Sequence, residues 1–154
     1  MTFNGFIKEY TQKGLIKQQK QDFNAIDAMM SRAIKEIDIA KATLSIDEGT
    51  AFTVAYNAML HVGRALIFSK GYRPIDGAQH KTVVEFATMY LGEKYKTLVL
   101  HFEKMRKKRN IFTYEVTIAI SSSEVTSAIK SATQLTQAIQ KIITKENPQH
   151  HFSF

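Results

Sequence analysis

The spacing of the apolar residues constrains the fold of this 154-residue chain more than any other feature. From residue 22 onward these residues recur three and four positions apart, which is the period of one face of an α-helix. The segments that show this spacing are 22–45, 48–70, 76–92, 94–112 and 121–143. Because no two segments have the alternation of paired strands, the pattern predicts an all-α, up-and-down bundle of four or five main helices with a short N-terminal helix.

Short polar motifs predict where these helices begin and end. Ser45–Glu48 and Ser121–Glu124 fit capping boxes, and Asp76–Gln79 fits a box-like cap. Gly71 suits the left-handed residue that ends helix 48–70, in which the small Ala58 and Gly63 would let a neighbouring helix come close. Residues 113–120 carry alternating β-branched side chains without a partner strand, so we expect an extended or frayed connection there.

Length and composition predict a single domain over residues 1–154. Residues 1–20 would form an N-terminal arm or helix, with Gly14 weakening its middle, and residues 145–154 a flexible tail with an unstructured His150-His151 pair. With no cysteine, no basic stretch leading into an apolar run and no long apolar segment, we expect neither signal peptide nor membrane span, and a cytoplasmic location.

Charge points to an anionic partner. The net charge is +7, and five basic residues fall within six positions, at Lys104, Arg106, Lys107, Lys108 and Arg109. Apolar residues on the same segment have helical spacing, so the charges would lie on a helix with one buried side. The run is either a solvated basic face or a polyanion site, and the polar residues directly after it favour the polyanion site.

Several other side chains are candidates for phosphate binding. Arg64 falls near a buried stripe, where it could also be a paired or snorkelling charge. His80 and Lys81 occupy the first turn of a helix, which favours anions, although His80 could equally be a surface residue without a task. Tyr114 could contact a phosphate or a base, or pack in the core. The glycine-rich phosphate loops, the HExxH motif and a nucleophile elbow do not occur, so we predict no metal and no cofactor.

Two segments resemble a known family. Ala55–Val84 reads AYNAMLHVGRALIFSKGYRPIDGAQHKTVV, and it resembles the central helix and following turn of the HEPN superfamily, the higher eukaryotes and prokaryotes nucleotide-binding domain. One prokaryotic branch has AYYAMFHAARALL there, then SKG, a proline and a histidine beside a basic residue. Arg109–Glu115 is similar to the arginine motif of that family. The resemblance covers about residues 20 to 143.

The resemblance implies a helical bundle that is commonly a homodimer, with two arginine motifs facing each other in one site. Many members are metal-independent endoribonucleases and toxins, often partnered by a small nucleotidyltransferase. In those, a histidine follows the arginine after four to six residues and acts with it on the ribose 2′-OH. Here Arg109 and Asn110 match the motif, but Tyr114 stands where the histidine would be, as in this branch. Tyrosine is a poor base at neutral pH.

The favoured hypothesis is therefore a dimeric nucleotide- or RNA-binding module without the usual nuclease chemistry. Its predicted binding residues are Arg64, His80, Lys81, Arg106, Lys108, Arg109 and Asn110, and Arg109 and Tyr114 are the catalytic candidates. The first alternative is an active ribonuclease in which Tyr114 or His80 replaces the usual histidine. The second is a protein-interaction module, such as half of a toxin–antitoxin pair, in which the basic stripe only steers an acidic partner.

Overall fold

The computed structural model describes residues 1–75, 79–115 and 117–152, and within them it is the predicted all-α bundle. A one-turn 3₁₀-helix at Glu93–Tyr95 precedes α5. The helices are α1 (Phe3–Gln12), α2 (Phe23–Thr43), α3 (Glu48–Ser69), α4 (Gln79–Leu91), α5 (Lys96–Tyr114) and α6 (Ser122–Glu146), and the strands are β1 (Ile16–Gln18) and β2 (Tyr72–Pro74).

Helix α3 is the centre of the bundle, and α2, α4, α5 and α6 all pack against it. Fourteen of its residues are buried, including Tyr56, Met59 and Leu66. By length and composition this helix could cross a membrane, but 67% of its apolar window is already buried by the rest of the chain. That burial is typical of the core helix of a soluble domain.

Two glycines let α4 and α5 approach α3 closely. A Cβ added at Gly63 would lie 2.4 Å from Cγ1 of Val83 in α4, and one at Gly49 would lie 2.4 Å from Cζ of Phe112 in α5. The prediction that small residues in α3 admit a neighbouring helix is thus confirmed at Gly63. Because Gly63 also faces Phe102 of α5, whereas Gly49 faces Phe112, α5 runs antiparallel to α3.

A two-stranded sheet contradicts the expectation that the chain has no strand pair. β1 and β2 pair antiparallel, with Ile16 opposite Pro74. Each strand has only three residues, too few for an alternating pattern to be recognised in the sequence. The sheet changes the interpretation of Gly14, which has a φ of +69° and lies in the turn after α1 rather than in the middle of a helix.

One of the predicted helix caps is confirmed and one is wrong. Ser121 and Glu124 form the capping box of α6. The cap of α3 is Asp47 instead of Ser45, because the backbone N–H of Thr50 donates to Asp47 Oδ2 at 2.8 Å. The first turn of α3 therefore begins two residues later than a Ser45 box requires. The predicted cap at Asp76–Gln79 falls largely on residues 76–78, which lie outside the described residues.

The structure differs in part from the predictions for the connection between α5 and α6 and for the C-terminal tail. Residues 113 and 114 still belong to α5, and the described residues from 115 to 121 form no strand, as predicted. Near the C-terminus α6 continues to Glu146. His150 then contacts α2, with Nε2 2.7 Å from Asp27 Oδ1 and its ring 4.2 Å from that of Phe23. His150 therefore has defined partners, contrary to the expectation of an unstructured pair.

Replacing Gly63 with alanine should destabilise the protein by about 1–3 kcal/mol, because the new methyl group would overlap Val83. Urea unfolding of Gly63→Ala, of Val83→Ala and of the double variant measures this effect. We expect the double variant to be more stable than the sum of the single effects predicts, since Val83→Ala vacates the space that the methyl group needs. Strictly additive effects would show that the close approach does not limit position 63.

Candidate phosphate-binding site

Helices α3, α4 and α5 meet around the side chain of Tyr56. This tyrosine has no exposed surface, and its ring lies 6.0 Å from that of Phe102 in α5. Its hydroxyl is 3.1 Å from Nδ1 of His80 in the first turn of α4. The contact holds the imidazole against α3, and its direction depends on which nitrogen of His80 carries the hydrogen.

His80 is held in its neutral form. Burial lowers the pKa of His80 below 6.5, and the positive charges of Arg109, Arg64 and Arg106 lower it further, in that order. Burial also raises the pKa of Tyr56, although the charges of Arg106 and Arg109 oppose this shift. At pH 7 the site therefore contains a neutral imidazole and a neutral phenol within reach of three cations.

The three arginines differ in how they are paired. Arg106 has a carboxylate partner, since its Nη2 and Nε lie 2.6 and 2.8 Å from Oε1 of Glu103. Within residues 1–75, 79–115 and 117–152, the side chain of Arg64 donates to the neutral side-chain oxygen of Gln79 and to no carboxylate. The buried Nε of Arg109 has no hydrogen-bond partner among the described residues. Among the described residues, the three guanidinium groups thus share one carboxylate, and a bound anion would compensate the surplus of positive charge.

The start of α4 adds to this positive potential. His80 is the second residue of a 13-residue helix, so the positive end of the helix dipole lies beside the imidazole. Lys81 is in the same turn and is exposed, and it forms no ion pair with any described residue. Phosphate oxygens are the ligands that such helix starts prefer when arginines stand nearby.

The structure brings together only part of the residues predicted from the sequence. Arg64, His80, Arg106 and Arg109 form one cluster. Lys108 lies on the other side of α5, where its Nζ is 3.4 Å from Oε2 of Glu124 in α6. Asn110 is partly exposed, and its side chain has no hydrogen bond to the part of the chain described. These placements reduce the predicted binding set to the side of α5 that faces α3 and α4.

Tyr114 is the largest departure from the predicted site. It is 86% exposed at the end of α5. Five positions separate it from Arg109, which corresponds to a rotation of about 140° around a helix. The two side chains therefore leave α5 in different directions, and Tyr114 does not contact the arginine cluster within this chain.

Sequence reasoning missed three members of the cluster. Tyr56 fits the apolar stripe of α3 and so reads as a core residue, although a tyrosine in such a stripe signals a hydroxyl that needs a partner. Gln79 and Glu103 were missed because their roles depend on Arg64 and Arg106. The three-residue spacing of Glu103 and Arg106 on one helix was the available signal for that ion pair.

The sequence that forms this site matches a known protein family. The family model described as HEPN domain matches residues 26–143, which is more than half of the chain. A search of curated proteins gives no match. The matched region contains every residue of the arginine cluster and runs from α2 to α6, leaving out α1 and β1. The chain therefore belongs to the HEPN domain family.

Proposed function

We propose that this protein binds RNA or a nucleotide through a phosphate group held between Arg64, His80 and Arg109. The observation that carries the proposal is the half-buried guanidinium of Arg109, whose buried Nε has no partner in the described residues. A donor in that position costs free energy unless something accepts its hydrogen bond. Membership of the HEPN domain family supports a nucleotide- or RNA-binding role at the level of the family.

The chemistry of the cluster suits a phosphate, which presents several acceptor oxygens, better than a neutral ligand. A guanidinium group presents two parallel donors that match two phosphate oxygens, and Arg64 and Arg109 could each supply such a pair. A neutral His80 can donate one further hydrogen bond, and the first turn of α4 offers backbone N–H groups. Arg106 contributes charge, but Glu103 occupies its donors.

The proposed assembly is a homodimer in the cytoplasm, with a small nucleotidyltransferase or toxin–antitoxin partner as the resemblance implies. Two large side chains at the end of α5 support a second copy there, since Tyr114 is 86% and Ile111 46% exposed. Exposed side chains of this size are common where a partner covers them. In a dimer of this kind, Tyr114 of one copy would approach the arginine cluster of the other.

Replacing Arg109 with alanine should weaken binding of a labelled single-stranded RNA by about tenfold or more at low salt, because the central phosphate contact is lost. Lys107→Ala is the matched control, since Lys107 is an exposed cation on the same helix and its removal changes the net charge equally. Fluorescence anisotropy measures both affinities across a salt titration. Equal losses in the two variants would contradict a specific site, and no binding by the wild type would favour a protein partner instead.

The titration of His80 provides a test by NMR. Its midpoint should lie below 6.5 in the free protein, because burial and the arginine charges disfavour the imidazolium. Inorganic phosphate should raise the midpoint, since an anion stabilises the charged ring. By linkage, phosphate affinity then increases as the pH falls from 7 through that midpoint.

Two variants identify the cause of this shift. In Arg109→Ala the midpoint of the free protein should be higher, because one positive charge has gone, and phosphate should move it less. Lys107→Ala should leave both values unchanged. A midpoint that phosphate does not move would contradict phosphate binding next to His80.

A second candidate function is metal-independent cleavage of RNA, and the position of His80 favours it. His80, and not Tyr114, lies beside Arg109 within one chain, and its lowered pKa keeps it able to accept a proton at pH 7. His80→Gln should then reduce cleavage in EDTA by about a hundredfold or more, the usual effect of losing a general base. Tyr114→Phe should cleave at the wild-type rate. Loss of cleavage in Tyr114→Phe alone would assign the chemistry to the tyrosine, and no cleavage by the wild type would remove this candidate.

A further inference from the structure

A groove runs between helices α5 and α6 on the side of α5 away from His80. The two helices are antiparallel there, since Lys108 contacts Glu124 at one end and His101 contacts Ser131 near the middle. The groove consists of two adjoining cavities of about 580 and 320 Å³ that share His101. This α5–α6 groove is separate from the arginine cluster, because none of the cluster residues lines either cavity.

The rim of the α5–α6 groove is positively charged. Lys94, Lys104 and Lys141 line it, and none of them has a carboxylate partner among the described residues. Glu124 is the one acidic residue that lines the two cavities, and Lys108 neutralises it at 3.4 Å. The groove therefore attracts an anionic ligand along its length and not at a single point.

The floor of the α5–α6 groove is mostly apolar surface that polar side chains interrupt. Nδ1 of His101 lies 2.5 Å from Oγ of Ser131, and burial followed by the charge of Lys104 lowers the pKa of His101. Leu98, Tyr95 and Ala138 supply apolar surface, and Gln134 and Gln137 place amides beside it. An amphipathic helix docks through a continuous apolar stripe, whereas these polar groups divide the apolar surface into short stretches.

A single strand of nucleic acid matches both properties of the groove. Its phosphates would be neutralised by lysines, its base edges would form hydrogen bonds with amides and hydroxyls, and its bases would pack on the apolar surface that includes the ring of Tyr95. From Ser123 to Lys141 the groove follows α6 for about 27 Å at 1.5 Å per residue. That length accommodates about eight nucleotides at the ~3.4 Å rise of a stacked strand.

We propose that the α5–α6 groove binds a single-stranded segment of the same RNA whose phosphate is held at Arg109. This inference rests on the proposed function and adds a substrate class to it, namely single-stranded RNA long enough to pass from one side of α5 to the other. The basic residues of α5 then have two separate tasks. Arg106 and Arg109 serve the cluster at α3 and α4, whereas Lys104 serves the groove and Lys108 neutralises Glu124 there.

The test compares RNA of two lengths, about four and about 16 nucleotides, and two double variants. Lys104→Ala with Lys141→Ala removes two groove charges without altering the arginine cluster. Lys35→Ala with Lys41→Ala removes two exposed charges from α2 and is the matched control. Affinities are measured by anisotropy from low to moderate salt, and polyglutamate of matched length serves as a competitor.

We expect the groove variant to lose affinity for the long RNA only. Its plot of log affinity against log salt should be shallower by about 1.4, which corresponds to two lost phosphate contacts at ~0.7 each for a single strand. The control variant should retain the wild-type slope, and polyglutamate should compete poorly because it has no bases. Arg109→Ala should weaken binding of both lengths.

Three outcomes would overturn the inference. If the groove variant binds the long RNA as tightly as the control variant does, the strand does not use the groove. The proposed site at Arg109 is still supported in that case if Arg109→Ala has lost its binding. Polyglutamate that displaces the long RNA at equal charge identifies the groove as a docking surface for an acidic protein segment. Unchanged binding of the short RNA by Arg109→Ala, with loss in the groove variant, removes the proposed function at Arg109 and leaves the groove as an independent site.

Discussion

The close approach of α4 and α5 to α3 determines both the core and the candidate site. At Gly63 and Gly49 there is no space for a side chain larger than hydrogen, so these helices pack backbone against side chain. That packing buries Tyr56 completely, and the one side-chain partner of its hydroxyl in the described part of the chain is His80. A shift of α4 by one turn would move His80 about 5.4 Å and leave a buried hydroxyl unpaired. The position of the imidazole is therefore a consequence of core packing.

The cluster places positive charge where stability alone would not. Burial and then the positive charges of Arg109, Arg64 and Arg106 disfavour the imidazolium and lower the pKa of His80. Repulsion among the three guanidinium groups lowers the stability of the free protein. The unpaired Nε of Arg109 adds a desolvation cost of about 1–3 kcal/mol. Exposed ion pairs elsewhere, such as that between Lys13 and Glu9, contribute at most about 1 kcal/mol each. A cluster that destabilises the free protein by more than a surface ion pair stabilises it is characteristic of a binding site.

Helical periodicity was sufficient to predict the bundle, because long amphipathic segments repeat their signal over several turns. It failed at β1 and β2, where three residues per strand give no repeat and the pairing joins positions 16 and 74. The cap of α3 was misplaced for a related reason, since Ser45 and Asp47 both precede a glutamate or threonine three residues on. A capping motif of four residues therefore fits either Ser45 or Asp47, and the packing of α3 determines which of the two residues caps the helix.

For the site, residue type and helix assignment were enough to select Arg64, His80 and Arg109 as candidates. Their convergence could not be read from the sequence, because it depends on which faces of three helices meet. The rotation of α5 decides this for its own residues: Arg106 and Arg109 face α3 and α4, whereas Lys104 and Lys108 face α6. The basic residues between positions 104 and 109 are therefore divided between two surfaces of α5. Their total number overstates the positive charge of either surface.

The division of α5 also affects how the arginine motif is interpreted. The resemblance of Arg109–Glu115 to the arginine motif places Tyr114 where a histidine would stand, and for that reason Tyr114 is a predicted catalytic residue. In the folded chain it points away from Arg109 and is 86% exposed, whereas His80 from a different helix is half-buried and lies next to the arginines, and burial and the arginine charges lower its pKa. Among the described residues, the imidazole beside Arg109 within one chain therefore comes from α4 and not from the arginine motif itself. A role for Tyr114 requires a second copy that brings its own α5 to the cluster, so the oligomeric state determines which residue can act on a bound phosphate.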